Sequence, residues 1–102
     1  MKIEVLYFEG CPNHKPTMAR VLSLMREQGI TATVAEVEIR DAEAAKAARF
    51  LGSPSIRVNG VDIDPDSRTA TGAGFACRYY AGGLPPEDMI RAALREAQGE
   101  TR

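Results

Sequence analysis

The chain has no tryptophan, one histidine and only two cysteines among its 102 residues. Two cysteines cannot staple a small domain, so the fold must rest on a packed apolar core. With 44% hydrophobic residues, one core is within reach and two are not, which makes residues 1–102 a single domain. A basic excess is also missing. Thirteen Lys and Arg face fourteen Asp and Glu, a formal net charge of −1, so nucleic-acid binding has no electrostatic support. No apolar run approaches the ~20 residues that span a bilayer, so no membrane partner is expected. Met1-Lys2-Ile3-Glu4 sets an acid inside a strand-like alternation, unlike a secretory signal. The expected compartment is therefore the reducing cytoplasm, where a cysteine pair is reactive, metal-binding or merely buried. Internal repeats and low-complexity segments are absent.

What is present centres on Glu9-Gly10-Cys11-Pro12-Asn13-His14, directly after the apolar run Ile3–Phe8. A strand ends at Phe8, turns through Gly10 and delivers Cys11 to the start of a helix. Unsatisfied N–H groups and the positive end of the helix dipole favour a thiolate over a thiol there. Three residues on, where a dithiol site has its second cysteine, stands His14.

In chain order, Ile3–Phe8 reads as a central strand with both faces apolar after Glu4. Pro12 suits a first helical position but puts Pro16 at the fifth, whereas Asn13 as N-cap puts Pro16 at the third, where its missing N–H costs little; the second start, or a kink at Pro16, is expected. Met18, Val21, Leu22 and Met25 then form the inward stripe, and Gly29 ends the helix. A second strand spans Ile30–Ile39. Asp41 caps a helix running to about Leu51, with Ala44, Ala47, Ala48 and Leu51 facing in and Gly52 as stop. Asn59-Gly60 between Ile56/Val58 and Val61/Ile63 is a hairpin signal, with Pro54 at the strand entrance. Residues 64–74 form a polar, mobile loop, and Phe75–Tyr80 has strand character and carries Cys77. Pro85-Pro86-Glu87-Asp88 opens a last helix with Ile90, Ala93, Leu94 and Ala97 inward, and the tail from Gly99 frays. The first two strands, joined by a helical crossover, should be parallel, and the hairpin adds antiparallel strands.

A cysteine at the first strand–helix turn, in this order of elements, with Ser53-Pro54 before a hairpin strand, resembles the thioredoxin/glutaredoxin superfamily. Within it, the chain is similar to small bacterial thioredoxin-like proteins reading Glu-Gly-Cys-Pro near the start and Gly-Ser-Pro-Thr-Ile-Arg-Val-Asn-Gly in the middle. Some of these carry an alkylmercury-lyase label. The likeness covers nearly the whole chain, and Gly52–Gly60 is its most specific part. It implies an α/β fold with a mixed four- to five-stranded sheet and helices on both faces. It also implies that Ser53-Pro54 is cis and faces Cys11, leaving the Ser53 backbone free to pair with an extended substrate segment. The implied activity is thiol-dependent redox chemistry on a protein or low-molecular-weight disulfide, with Cys11 as nucleophile, Pro12, Ser53 and Pro54 at the substrate and no cofactor. The departure is at His14. Without a second cysteine in the motif, the mixed disulfide must be resolved by an external thiol or by Cys77.

Other readings of these residues stay open. His14 continues the apolar stripe four residues before Met18; it is a core-edge residue, a partner of the Cys11 thiolate, a proton shuttle or a metal ligand. Cys77, 66 residues beyond Cys11 (77 − 11), is a packed core thiol, a resolving thiol or a second soft ligand. Capture of a soft metal ion or organomercurial between Cys11 and Cys77 is thus the rival function, and a non-catalytic adaptor the third. Arg78, Tyr79 and Tyr80 either line a substrate groove or pack. Arg57 is expected to face solvent. Asp62, Asp64 and Asp66 alternate as in a calcium loop but lack the glycine and glutamate of an EF-hand.

Overall fold

A computed structural model describes residues 1–69, 72–80 and 82–99. Strand β1 (Ile3–Tyr7) lies at the centre of a four-stranded sheet, with β2 (Val34–Glu38) on one side and β3 (Ser55–Val58) on the other. β2 runs parallel to β1, with Val5 opposite Glu36 and Tyr7 opposite Glu38. β3 is antiparallel to β1, and β4 (Val61–Asp62) closes the far edge as its hairpin partner. The parallel pair follows from the crossover through α1 (His14–Glu27), which a tight turn could not replace. Asn59 and Gly60, at φ 53° and 79°, make the turn that right-twisted strands require. The exposed edge β2 carries Glu36 and Glu38, charges that discourage pairing with another chain.

The alternation along β1 divides the interior in two. Ile3 and Val5 join Ile56 and Val58 of β3 under α1 and α3 (Glu87–Ala97). Leu6 faces the other way, into a smaller cluster with Ile39, Phe50 and Ala45 of α2 (Ala42–Ala48). Helices therefore cover both faces, and the sheet has four strands.

Helix α1 starts after Asn13, so Pro16 does occupy its third position. Its end is a Schellman closure: Gly29 N–H donates to the Arg26 carbonyl, Ile30 N–H to that of Met25, and Gly29 takes φ 68°. The inward stripe is not the expected one. Thr17, Val21, Leu24 and Met25 are buried, whereas Leu22 is 40% exposed, because the helix meets both the sheet and α3 and its buried face is rotated. Asp41 caps α2 as expected, its Oδ1 accepting from Ala44 N–H at 2.8 Å. The helix nevertheless stops at Ala48 rather than Leu51. Arg49 adopts the left-handed conformation (φ 54°) and turns Phe50 into the core, while Ala47 stays exposed. Burial of a phenylalanine outweighs three more residues of alanine-rich helix.

The largest departure lies after the hairpin. Pro65–Ser67 form a 3₁₀ turn capped by Asp64, and residues 70 and 71 lie outside the described part of the loop. Phe75–Tyr80 is not a strand of the sheet. It touches Ser53 through one isolated parallel bridge at Cys77. α3 begins after Pro86 with Ile90, Ala93 and Leu94 buried and Ala97 packed against them. Residues 100–102, where fraying was expected, lie outside the described residues. No helix among the described residues is long and apolar enough to cross a membrane.

Candidate functional site

Cys11 lies in the turn between β1 and α1. Its N–H donates to the Phe8 carbonyl at 3.2 Å and its carbonyl accepts from His14 N–H at 3.3 Å, so the thiol is carried two residues before the N-cap. Gly10 takes φ 90° to make the turn. The thiol is buried but not sealed: a cleft of about 530 Å³ reaches it, walled by Tyr7, Glu9, Cys11, Pro12, His14 and Lys15.

His14 is the most constrained side chain of this cleft. Its ring stacks on Tyr7 at 3.6 Å between centroids and 8° between planes. Its Nε2 lies 2.6 Å from Glu36 Oε2 on β2, off the line of an aligned N–H···O bond. Only 12% of the imidazole is exposed. Burial raises the Tyr7 phenol above its usual pKa, and the carboxylates of Glu38, Glu36 and Glu9 add to the effect, so Tyr7 is a neutral platform. Thus His14 is neither a member of the helix's apolar stripe nor free in solvent. Lys15, exposed on the rim, brings an ammonium to the cleft. Neither contact is marked by a local motif: Tyr7 reaches His14 through the turn from β1 into α1, and Glu36 does so through the parallel β1–β2 register.

The remaining candidates do not line this cleft. Ser53-Pro54 is cis. Ser53 Oγ accepts from Phe8 N–H at 3.3 Å, so Ser53 and Cys11 are joined through Phe8. The expectation that the Ser53 backbone stands free does not hold. Ser53 N–H donates to the Ala76 carbonyl and Ser53 carbonyl accepts from Arg78 N–H, both at 2.9 Å. The chain's own segment fills the edge assigned to a substrate. Cys77, at the bridge, is exposed, and both thiols are free. Neither Ser53, Pro54 nor Cys77 belongs to the walls of the Cys11 cleft.

What holds that segment is Arg78. Its guanidinium bonds Asp62 with both arms (2.7 and 3.1 Å), Ser55 Oγ (3.1 Å) and Ser67 Oγ (2.8 Å), with Asp64 at 3.8 Å. Burial alone would lower its pKa, but the Asp62 hydrogen bonds and the neighbouring charges prevail and raise it. Tyr80 donates its hydroxyl to the Pro54 carbonyl at 2.9 Å, and its ring lies under the Arg78 guanidinium at 4.9 Å. Burial raises the Tyr80 pKa as well. Phe75 packs on Phe8 at 5.3 Å. Asp62 and Asp64 are therefore anchors for an arginine, and Arg78 and Tyr80 are fixed while Tyr79 is 89% exposed. Arg57 is not solvent-facing either: its Nη2 bonds the Ala48 and Arg49 carbonyls at the end of α2.

Among the described residues no group of three or more His, Cys, Asp and Glu side chains is arranged to hold a metal ion. Comparison of the chain with family models, curated proteins and solved structures found no match.

Proposed function

We propose that the chain is a thioredoxin-like, monothiol redox protein that exchanges Cys11 with the disulfides of small thiols. The observation that carries this reading is the cleft, in which the Cys11 thiol shares its walls with an imidazole pinned by Tyr7 and Glu36 and with the Lys15 ammonium. The Lys15 ammonium, on a rim that also carries Glu9, suits a carboxylate-bearing thiol. The Cys11 thiolate attacks one sulfur of R–S–S–R′. A Cys11–S–S–R bond forms, and R′S⁻ leaves with a proton from His14 or water. A second thiol, R″SH, attacks the R sulfur and returns Cys11 as thiolate. The net exchange is R–S–S–R′ and R″SH to R–S–S–R″ and R′SH, with no change in the protein.

The occupied Ser53 edge favours small substrates over extended protein segments, whose backbone would find its partners taken. The test is intact-mass analysis of the reduced protein, C11S and C77S after exposure to oxidised glutathione, followed by reduced glutathione. One adduct on wild type and C77S, absent from C11S and removed by the second thiol, is the expected pattern. An adduct retained in C11S, or no adduct at all, overturns the reading. A mercuric ion bound by wild type but by neither single variant would instead mark the rival, capture between the two thiols.

A further inference from the structure

A second concavity, of about 310 Å³, opens between the C-terminal end of α2 and the β3–β4 hairpin and shares no residue with the Cys11 cleft. Three arginines line it, Arg49, Arg57 and Arg68, together with Ser67 and a single carboxylate, Asp62. That carboxylate does not balance them, because Arg78 takes both of its oxygens.

Each arginine keeps unused donors. Arg57 spends Nη2 on the last carbonyls of α2, and its Nε and Nη1 meet no protein acceptor among the described residues. Arg68 gives Nε to the Asp62 carbonyl and Nη2 to Glu96, leaving Nη1. The Arg49 side chain bonds nothing among the described residues, yet its backbone takes φ 54°, a conformation that glycine adopts without strain. That conformation ends α2 and turns Phe50 inward, and it leaves Arg49 on the wall of the cavity beside the two other arginines.

We propose that this cavity is a binding site for a phosphate group, taken as inorganic phosphate or as the monoester of a small molecule. Guanidinium forks match a tetrahedral dianion, and charge-assisted bonds to it need no carboxylate counterpart in the protein. The volume exceeds that of one phosphate and leaves room for a short esterified group.

The experiment is a ¹⁵N NMR titration with inorganic phosphate and, separately, with glycerol 3-phosphate, at ionic strength matched by chloride. Saturable shifts are expected at the amides of Arg49, Arg57, Gly60 and Arg68. R49Q and R68Q should each weaken binding roughly tenfold, the loss of one charge-assisted bond. Tighter binding of the ester identifies a small phosphomonoester as the ligand, and the reverse order identifies free phosphate. Shifts that never saturate, that chloride reproduces, or that both variants retain unchanged overturn the proposal. Arg49 makes no fold-holding side-chain contact among the described residues, so R49Q reads binding and not unfolding.

Discussion

Arg78 and Asp62 meet as a two-pronged ion pair with only 9% and 7% of their side chains exposed. Sixteen residues apart (78 − 62), they tie the Phe75–Tyr80 segment to β4. Through Arg78 N–H, that segment in turn closes over the backbone of Ser53. A buried pair of this kind costs much to break and little to replace whole. Asp62→Asn should therefore destabilise the protein by about 3–5 kcal/mol, a large share of the ~5–15 kcal/mol typical of a domain. The joint Asp62→Leu, Arg78→Met variant should lose less than either single one. Urea unfolding followed by circular dichroism measures both, and additive losses would contradict the pairing.

Gly52 marks the close approach of the same segment. A Cβ added there would come 2.7 Å from Arg78 Cβ, and its φ of 119° is one that side chains resist. Gly52→Ala should cost about 2–4 kcal/mol from the clash and the strain together. Amide exchange of Ser53 and Arg78 should quicken before the rest of the sheet does. Unchanged protection of those two amides would show that the segment is held by something else.

Tyr80 makes the attachment sensitive to alkali. Burial raises its folded-state pKa above that of the unfolded chain, so its contribution is whole below pH ~10 and is lost as pH rises towards the folded value. The urea midpoint of wild type should fall between pH 9.5 and 11. Tyr80→Phe should fall less steeply there, while losing about 1 kcal/mol at neutral pH for the bond to Pro54. The slope remaining in the variant belongs to Tyr7, whose pKa burial also raises.

The His14–Glu36 contact makes a prediction about reactivity rather than stability. In a C77S background, His14→Ala and Glu36→Gln should each slow alkylation of Cys11 at pH 7 by about three- to tenfold, the effect of losing the imidazole that shares the cleft or its anchor. Glu36→Asp should recover part of the rate. Equal rates in all four proteins would mean that the imidazole is a packing element only. Urea midpoints measured alongside separate that outcome from misfolding.

Glu27 and Arg91 illustrate the opposite regime. Arg91 bonds both carboxylate oxygens of Glu27 (2.7 and 3.2 Å) and so holds Glu27 below the usual carboxylate range. Both groups lie at the surface, where such pairs are screened. The stability they add is present above the unfolded pKa and fades as pH falls through the lower folded one. Arg91→Ala should change the urea midpoint little at pH 7, and the small difference should vanish below pH 3 or in high salt.

Taken alone, the sequence decided what is local. The start of α1 after Asn13, the Asp41 cap, the Asn59-Gly60 turn, the Pro86 start of α3 and the placing of Cys11 at a strand–helix turn all rest on residues within a few positions of one another. Backbone sterics and terminal hydrogen bonds act at that range, and so they can be read directly. The parallel β1–β2 pair was legible too, through the length of its crossover. Only the tertiary structure decided which side chains meet. Glu36 reaches His14 because two strands align in one register. Arg78 finds Asp62 because a segment with strand-like composition leaves the sheet and docks on Ser53 instead. Leu22 turns outward and Phe50 inward because the docking of α1 and the end of α2, not periodicity, choose the buried face. Such partners are selected by three-dimensional packing, in which residues far apart in the chain compete for the same space. That competition is why the surroundings of Cys11 needed the fold, while Cys11 itself did not.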